Sequence, residues 1–464
     1  MKTNMSVLQR TVGFLAMALM LLSCEKHGAP STFQTSEELE VQRLWSEKGR
    51  EYLVEFAAVY KSSFTSLEAF NSSNKQNTQK NILHLLRFLS GPLTHREWAG
   101  VYPQGRVELD AEGAFSKEGF VFVPYRYFGK WLVSKDLQGS SLRLPVPYYL
   151  SGLQTPNWKL CGDSHPDHQF MSLLWYYWDP DRYGCDHQEG FHYQTVIVYL
   201  RDRTELTQET YPEYEKMIRW IQGVPTLEMT FAFGYVEDPA EPKPFEDRDS
   251  GALEFQKFHH RVESWAAAKN FELKVLSPQD YGYSSKNKIG SEWVGTHNGV
   301  RHVIRVLMAA QLDQMEIFAK SFAENHEGFF GWFGHSRVGS GFDADRLREM
   351  IFQSPETFSI SPEYQLVYWG GCNSYAYYSQ PFFEMKKNES EDPFGTRSLD
   401  LLTNALPSYF SLNATNASFV FEALVNANKK TSYQSLVKKI ELAAQSWGIR
   451  VLVNVLGDED NGEQ

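Results

Sequence analysis

Apolar positions along this chain change their spacing twice. From residue 36 to 60, Val41, Leu44, Trp45, Tyr52, Phe56 and Val59 recur at helical intervals, and Ile82 to Leu89 predicts a second, shorter helix. A Ser/Asn/Gln-rich loop separates the two. From about residue 100 the interval tightens. Phe120-Val-Phe-Val, the alternating Leu142, Leu144, Val146 and Tyr148, and the run Thr195-Val-Ile-Val-Tyr-Leu read as strands between Gly and Pro turns. The segment up to residue 220 is therefore expected to be α+β, and its residues suggest no role for it.

Beyond residue 225, strands and helices alternate. Leu227 to Tyr235 reads as a strand, followed by an acidic, Pro-rich loop at 236–249 and a helix with Phe255, Phe258, Val262, Trp265 and Ala266 on one face. A strand from Phe271 to Leu276, a Gly/Ser/Lys loop, a long helical region over roughly 300–325 and the strand Phe329 to Phe333 complete a β-α-β-α-β pattern. Such alternation implies a mostly parallel sheet with flanking helices, whose ligand site lies at the carboxyl ends of the strands. A last helix from Thr431 to Trp447 and a strand from Val451 to Leu456 close the domain, leaving 457–464 as an acidic tail.

Two strand ends carry reactive side chains. The strand ending at Phe333 runs into Gly334-His335-Ser336-Arg337, and the strand Gln365 to Trp369 runs into Gly370-Gly371-Cys372-Asn373-Ser374. A thiol is a nucleophile only as thiolate, and a neighbouring imidazole takes its proton or pairs with it. Glycines beside both groups let a substrate carbonyl approach main-chain N–H groups that stabilise an oxyanion. A buried structural cysteine and an ordinary loop histidine are the plainer alternative.

Charge and targeting narrow the setting. The formal charge of -12 argues against a nucleic-acid partner, which needs a basic surface. Lys2 and Arg10 flank an apolar stretch, Val12 to Leu22, too short to span a bilayer, and it ends in Leu21-Leu22-Ser23-Cys24. That string resembles the lipobox of bacterial lipoproteins. The resemblance implies a signal peptide over 1–23, lipid on Cys24, and a place in the bacterial cell envelope, anchored to a membrane and facing away from the cytoplasm. In such an oxidising compartment Cys161 and Cys185 are the natural disulfide pair, which leaves Cys372 alone. The competing use of the same region is a zinc site drawn from Cys161, His165, His168, Cys185, His187 and His192, and with it a hydrolytic metal centre. No other cofactor is expected.

On the two strand-end motifs, residues 225–456 resemble the caspase-like cysteine peptidases. The resemblance implies a caspase-like α/β fold, preceded by the α+β domain at 24–220, and a Cys–His dyad that hydrolyses peptide bonds in a peptide or protein substrate. His335 would be the general base, Cys372 the nucleophile, and the Ser336 and Cys372 main-chain N–H groups the oxyanion donors; Ser336 stands where the family has glycine. Leu399 to Ser408 and the helix near 415–427 correspond to the specificity pocket, with Asn404 and Ser408 as pocket residues. Arg337 would suit an acidic substrate side chain, and Asp343 or Asp345 a basic one. The alternative is a caspase-like module that binds or scaffolds in the envelope without cutting.

Overall fold

A segment whose apolar spacing reads as helical, Gly49–Lys61, is a strand in the computed structural model of the chain. The structure describes residues 44–95, 99–100, 105–149, 153, 158–162, 178–203, 209–237, 239, 241–281, 289–310, 314–323, 327–336, 360–388, 390–426 and 429–458. These belong to one compact unit, Gln42–Gln464. The misread strand has a physical reason. Tyr52, Val54, Phe56 and Ala58 alternate into one core, but Glu51, Leu53 and Glu55 on the opposite face are buried as well, so the period of two is hidden.

The strands are β1 (Leu44–Trp45), β2 (Gly49–Lys61), β3 (Ala99–Gly100), β4 (Gly105–Leu109), β5 (Phe115–Lys117), β6 (Phe120–Ser134), β7 (Ser141–Pro147) and β8 (Tyr193–Asp202) in the first part of the chain. The first sheet has the order β3-β6-β2-β8-β7, with β4 and β5 also on β6, and its pairings are antiparallel. Helices α1 (Leu67–Asn71), α2 (Lys75–Leu86) and α3 (Ser90–His95) join it. Ile82, Leu86, Leu89 and Leu93 from this helical region enter the core of that sheet. The expected helix near 82–89 is thus present but starts earlier, inside the stretch read as a loop.

After α4 (Tyr214–Met217) come β9 (Arg219–Ile221), β10 (Val224–Gly234), helix α5 (Ser250–Ala267), β11 (Glu272–Leu276), β12 (Gly290–His297), β13 (Val300–Ala309), helix α6 (Gln314–Ala323) and β14 (Glu327–Phe333). The chain continues through β15 (Gln365–Trp369), α7 (Ser374–Lys386), β16 (Leu399–Asn404), α8 (Asn413–Val425), α9 (Tyr433–Ser446) and β17 (Val453–Leu456). The second sheet runs β1-β17-β16-β15-β14-β10-β13-β12-β11. Strands β13, β10, β14, β15 and β16 are mutually parallel, and antiparallel strands flank them. This is a mixed α/β arrangement with a large, mostly parallel sheet.

Two expectations inside it are corrected. The region 300–325 is not one long helix: β12 and β13 form a hairpin across Asn298 (φ 52) and Gly299 (φ 80), and the helix is confined to Gln314–Ala323. Asn-Gly between apolar runs is the signature of a type I′ hairpin turn, because both central residues need positive φ. The segment at 271–276, read as a strand of the parallel run, pairs antiparallel with β12 at the sheet edge.

Both faces of the parallel strands are covered. Phe231, Phe233, Phe329, Phe333, Leu366 and Tyr368 enter the core formed with α5, α8 and α9. Phe330, Trp332, Val367 and Trp369, their neighbours along the strands, enter the core formed with α6 and α7. Continuous apolar runs are what such doubly covered strands require.

Two imidazoles are sealed into this packing. His259 on α5 contacts the Ser291 hydroxyl at 2.7 Å among the rings of Phe245, Phe255 and Trp293, and His302 on β13 lies beside Phe271 and His297. Burial pulls both pKa values down from 6.5 to about 4. The unfolded chain takes up these protons near 6.5 and the folded chain refuses them until about 4, so stability falls as pH drops through that window and the loss is complete below it. Each group is worth about 3 kcal/mol across the window. Denaturant titrations at pH 7 and pH 4.5 should show this drop, and His302→Gln should make it shallower; a pH-independent unfolding free energy would contradict the assignment.

Candidate active site

The parallel strands β14 and β15 end side by side, and their ends are packed too closely for most side chains. A Cβ on Gly334 would lie 2.6 Å from the Trp332 ring and 3.1 Å from the Gly234 Cα at the end of β10. A Cβ on Gly371 would lie 2.5 Å from the Ser336 Oγ and 3.3 Å from the Ser336 N. The glycines noted in the sequence therefore allow three strand ends to converge, and the two reactive loops emerge at one rim. The Gly370 N–H donates to the Trp332 carbonyl at 2.7 Å, carrying the ladder past the last residue of β15.

His335 is held by main chain. Its Nε2 lies 3.0 Å from the Val236 carbonyl oxygen, which can only accept, so Nε2 carries the proton and the neutral ring's lone pair is on Nδ1. The Phe410 ring packs edge-on at 5.0 Å, and the Trp332 indole N–H donates to the His335 carbonyl at 3.0 Å. Val236 is itself fixed: Asp249 accepts its N–H at 3.0 Å and that of Glu237 at 3.1 Å. The same carboxylate caps α5 through the N–H groups of Gly251 and Ala252. Asp249 is a residue the sequence reading passed over, although an Asp directly before an apolar helical run is an N-cap signal. Val236 leaves no signal, since only its main-chain groups are used.

Cys372 is partly exposed, yet its thiol is engaged. Sγ accepts the Ser408 N–H at 3.2 Å and lies 3.7 Å from the Ser408 carbonyl, while the Ser336 hydroxyl donates to the Cys372 carbonyl. Burial raises the thiol above its ordinary 9.0, and the Ser408 N–H opposes that shift. Asn373 follows in the left-handed region (φ 49, ψ 33), fully buried, with no partner for its side-chain amide among the described residues. The Ser374 hydroxyl then ties the turn to the Trp369 carbonyl at 2.8 Å and accepts the Asn404 N–H at 2.8 Å. Helix α7 starts there, so the thiol sits at a helix N-terminus, where a negative charge is favoured.

Of the pocket residues, Ser408 is at the thiol through its main chain. Asn404 is buried and spends its amide on the loop itself: Nδ2 donates to the Leu406 carbonyl at 2.7 Å and Oδ1 accepts the Leu452 N–H at 3.0 Å. It shapes the segment that carries Ser408 instead of presenting an amide to a ligand. Arg337, Asp343, Asp345, Cys24, His165 and His168 lie outside the described residues.

Cys161 and Cys185 form a disulfide with S–S 2.02 Å and Cα–Cα 4.5 Å. They and His187 offer ligand atoms within 4.8 Å of one another. That group is already committed. The sulfurs are bonded together, the His187 Nδ1 accepts the Trp178 indole N–H at 2.9 Å, and its Nε2 lies 3.0 Å from the Leu153 carbonyl. His192 stacks 5.1 Å away and accepts the Gln188 N–H through Nδ1. Burial lowers the pKa of both histidines. A zinc ion would have to break the disulfide and displace at least one of those bonds from His187, so the arrangement is a covalent and hydrogen-bonded brace.

No family model, no curated protein and no solved structure matches this chain. Its chemistry is read from its own residues.

The contact between Gly371 and Ser336 is directly testable. Gly371→Ala should cost about 1–3 kcal/mol through overpacking. Adding Ser336→Gly should recover part of it, with a coupling above about 0.5 kcal/mol in a denaturant double-mutant cycle. Additive losses would mean that the two loops do not touch as described.

Proposed function

We propose that this chain is a caspase-like cysteine endopeptidase held in a bacterial cell envelope by lipid on Cys24. The observation that carries the reading is the pairing of adjacent parallel strand ends, one delivering His335 with its Nδ1 lone pair defined and the next delivering Cys372 at a helix N-terminus. The order of the central strands, with the His-bearing strand beside the Cys-bearing one, supports the caspase-like resemblance.

In the proposed reaction the thiol leaves Ser408 and gives its proton to the His335 Nδ1. The sulfur attacks the scissile carbonyl carbon, and the carbonyl oxygen takes up negative charge facing the Ser336 and Cys372 N–H groups. As the tetrahedral species collapses, His335 passes its proton to the departing amine and a thioester remains on Cys372. Water, deprotonated by His335, attacks the thioester; the acid leaves and the thiol takes the proton back. Ser336 keeps an N–H where a glycine would have one, and its hydroxyl braces the nucleophile's own carbonyl.

A second reading, a caspase-like module that binds or scaffolds without cutting, draws on one observation: burial raises the thiol of Cys372. The Cys161–Cys185 disulfide fits an oxidising compartment. Among the described residues no helix is long and apolar enough to cross a membrane.

On a mixed peptide library, Cys372→Ala and His335→Ala should each abolish cleavage, by about 10⁴-fold or more for Cys372, because the acyl-forming group is gone. Resting Cys372 should alkylate more slowly at pH 7 than an exposed thiol and speed up only at more alkaline pH than an exposed thiol does. If the wild type cleaves nothing in a Cys372-dependent way, the binding-module reading replaces this one. Separately, Cys24→Ala should release the protein from membranes and abolish fatty-acid labelling; unchanged partition with no lipid on the wild type would remove the anchor from the proposal.

A further inference from the structure

We infer that the first sheet positions the nucleophile of the second, with Glu51 and Tyr375 as the positioning residues; this rests on the peptidase reading of Cys372 and extends it to residues for which the sequence suggests no role. Tyr375 lies in the first turn of α7, three positions after Cys372, and its hydroxyl donates to the Glu51 Oε1 at 2.7 Å. Glu51 belongs to β2 in the other sheet, and its second oxygen takes the Arg203 guanidinium, just beyond β8. All three side chains are buried, at 7% exposure for Tyr375 and 6% and 8% at the side chains of Glu51 and Arg203.

A carboxylate buried between two sheets is a costly way to gain stability, since desolvation offsets much of what the ion pair returns. What such a group does well is fix one arrangement over its neighbours, because only one placement of Tyr375 satisfies the oxygen that Arg203 leaves over. The placement matters here because the turn preceding Tyr375 is short and already tight. Asn373 sits in the left-handed region, Ser374 is tied to the ends of β15 and β16, and the thiol leans on Ser408. Tyr375 adds the only one of these ties that comes from the first sheet. Losing it would let the first turn of α7 rotate, loosening Sγ from Ser408.

The two sheets are also joined elsewhere, which supplies a control. Arg450, between α9 and β17, bonds Ser134 and Asp136 at the end of β6. Cutting that tie weakens the same pair of sheets without touching α7.

The experiment compares Tyr375→Phe with Arg450→Gln in the full-length protein, well below either melting temperature, by the rate at which iodoacetamide labels Cys372. Tyr375→Phe should label about tenfold slower, the size of one hydrogen bond to a charged partner, as the thiolate loses the Ser408 N–H that favours it. Arg450→Gln should label at the wild-type rate even though it also lowers the melting temperature. Where the library is cleaved, Tyr375→Phe should lower kcat with KM unchanged. Glu51→Leu removes both acceptor oxygens at similar volume and reads the same tie from its other end if the tyrosine variant does not fold. Wild-type labelling in Tyr375→Phe, or an equal change in Arg450→Gln, overturns the inference. Absence of any Cys372-dependent cleavage would sink the peptidase reading alone, because labelling of Cys372 is measured without a substrate.

Discussion

The indole of Trp332 is the contact on which the rim depends. It lies against Gly234 and Gly334, where a Cβ would come within 3.1 Å and 2.6 Å of its ring, and its N–H holds the His335 carbonyl at 3.0 Å. One side chain therefore sets how closely β10 and β14 approach at their carboxyl ends and where the histidine loop turns. Close packing makes this a discrete arrangement, because an interior at crystal-like density cannot absorb an extra methyl group by sliding. The loop from β10 then supplies Val236, and Asp249 clamps that loop to the start of α5. The orientation of one imidazole is thus traceable through a carbonyl, a cap and an indole to two strands and a helix.

The second constraint is that the Cys372 loop is tied from several sides. Ser336 from the histidine loop, Ser408 from the segment after β16, and Glu51 from the first sheet reach Cys372 or the residues just after it. Each is a single hydrogen bond, worth on the order of 1 kcal/mol net. Their joint effect is larger in kind than in energy: a turn of a few residues, with a non-glycine in the left-handed region, has one conformation that satisfies all of them.

What the sequence reveals and conceals follows from which atoms are used. The strands at 227–235, 329–333 and 365–369 stand out because both faces are covered, giving largely apolar runs with a glycine at or just after the carboxyl end of each. The same double burial hides β2, where Glu51 and Leu53 fill the face that should have been polar, and helical spacing emerges by accident. The β12–β13 hairpin was legible from Asn298-Gly299 and was overridden by apolar content on either side. At the site, His335 and Cys372 are visible as side chains after glycines. Val236 is invisible, because it acts through a carbonyl that every residue type possesses, and Ser408, expected as a pocket side chain, meets the thiol through its main chain instead.

The electrostatics of Cys372 decide how such a site works. A helix N-terminus favours a nearby anion by about 0.3–1 kcal/mol, which is less than one pKa unit. Burial raises the thiol in spite of that help and of the Ser408 N–H, so neither is enough to hold a thiolate in this arrangement. A full positive charge close by changes the balance, since an opposite charge within a few ångströms moves a pKa by 1–3 units. In the proposed dyad His335 supplies that charge by taking the thiol's proton, and the two groups then titrate as a pair. Ser408 and His335 are in this sense alternatives for the sulfur: the amide N–H suffices for a neutral thiol, and the imidazolium is needed for the anion. In the proposed reaction, a peptide that displaced the segment carrying Ser408 would remove the first alternative and exclude water, which strengthens the second.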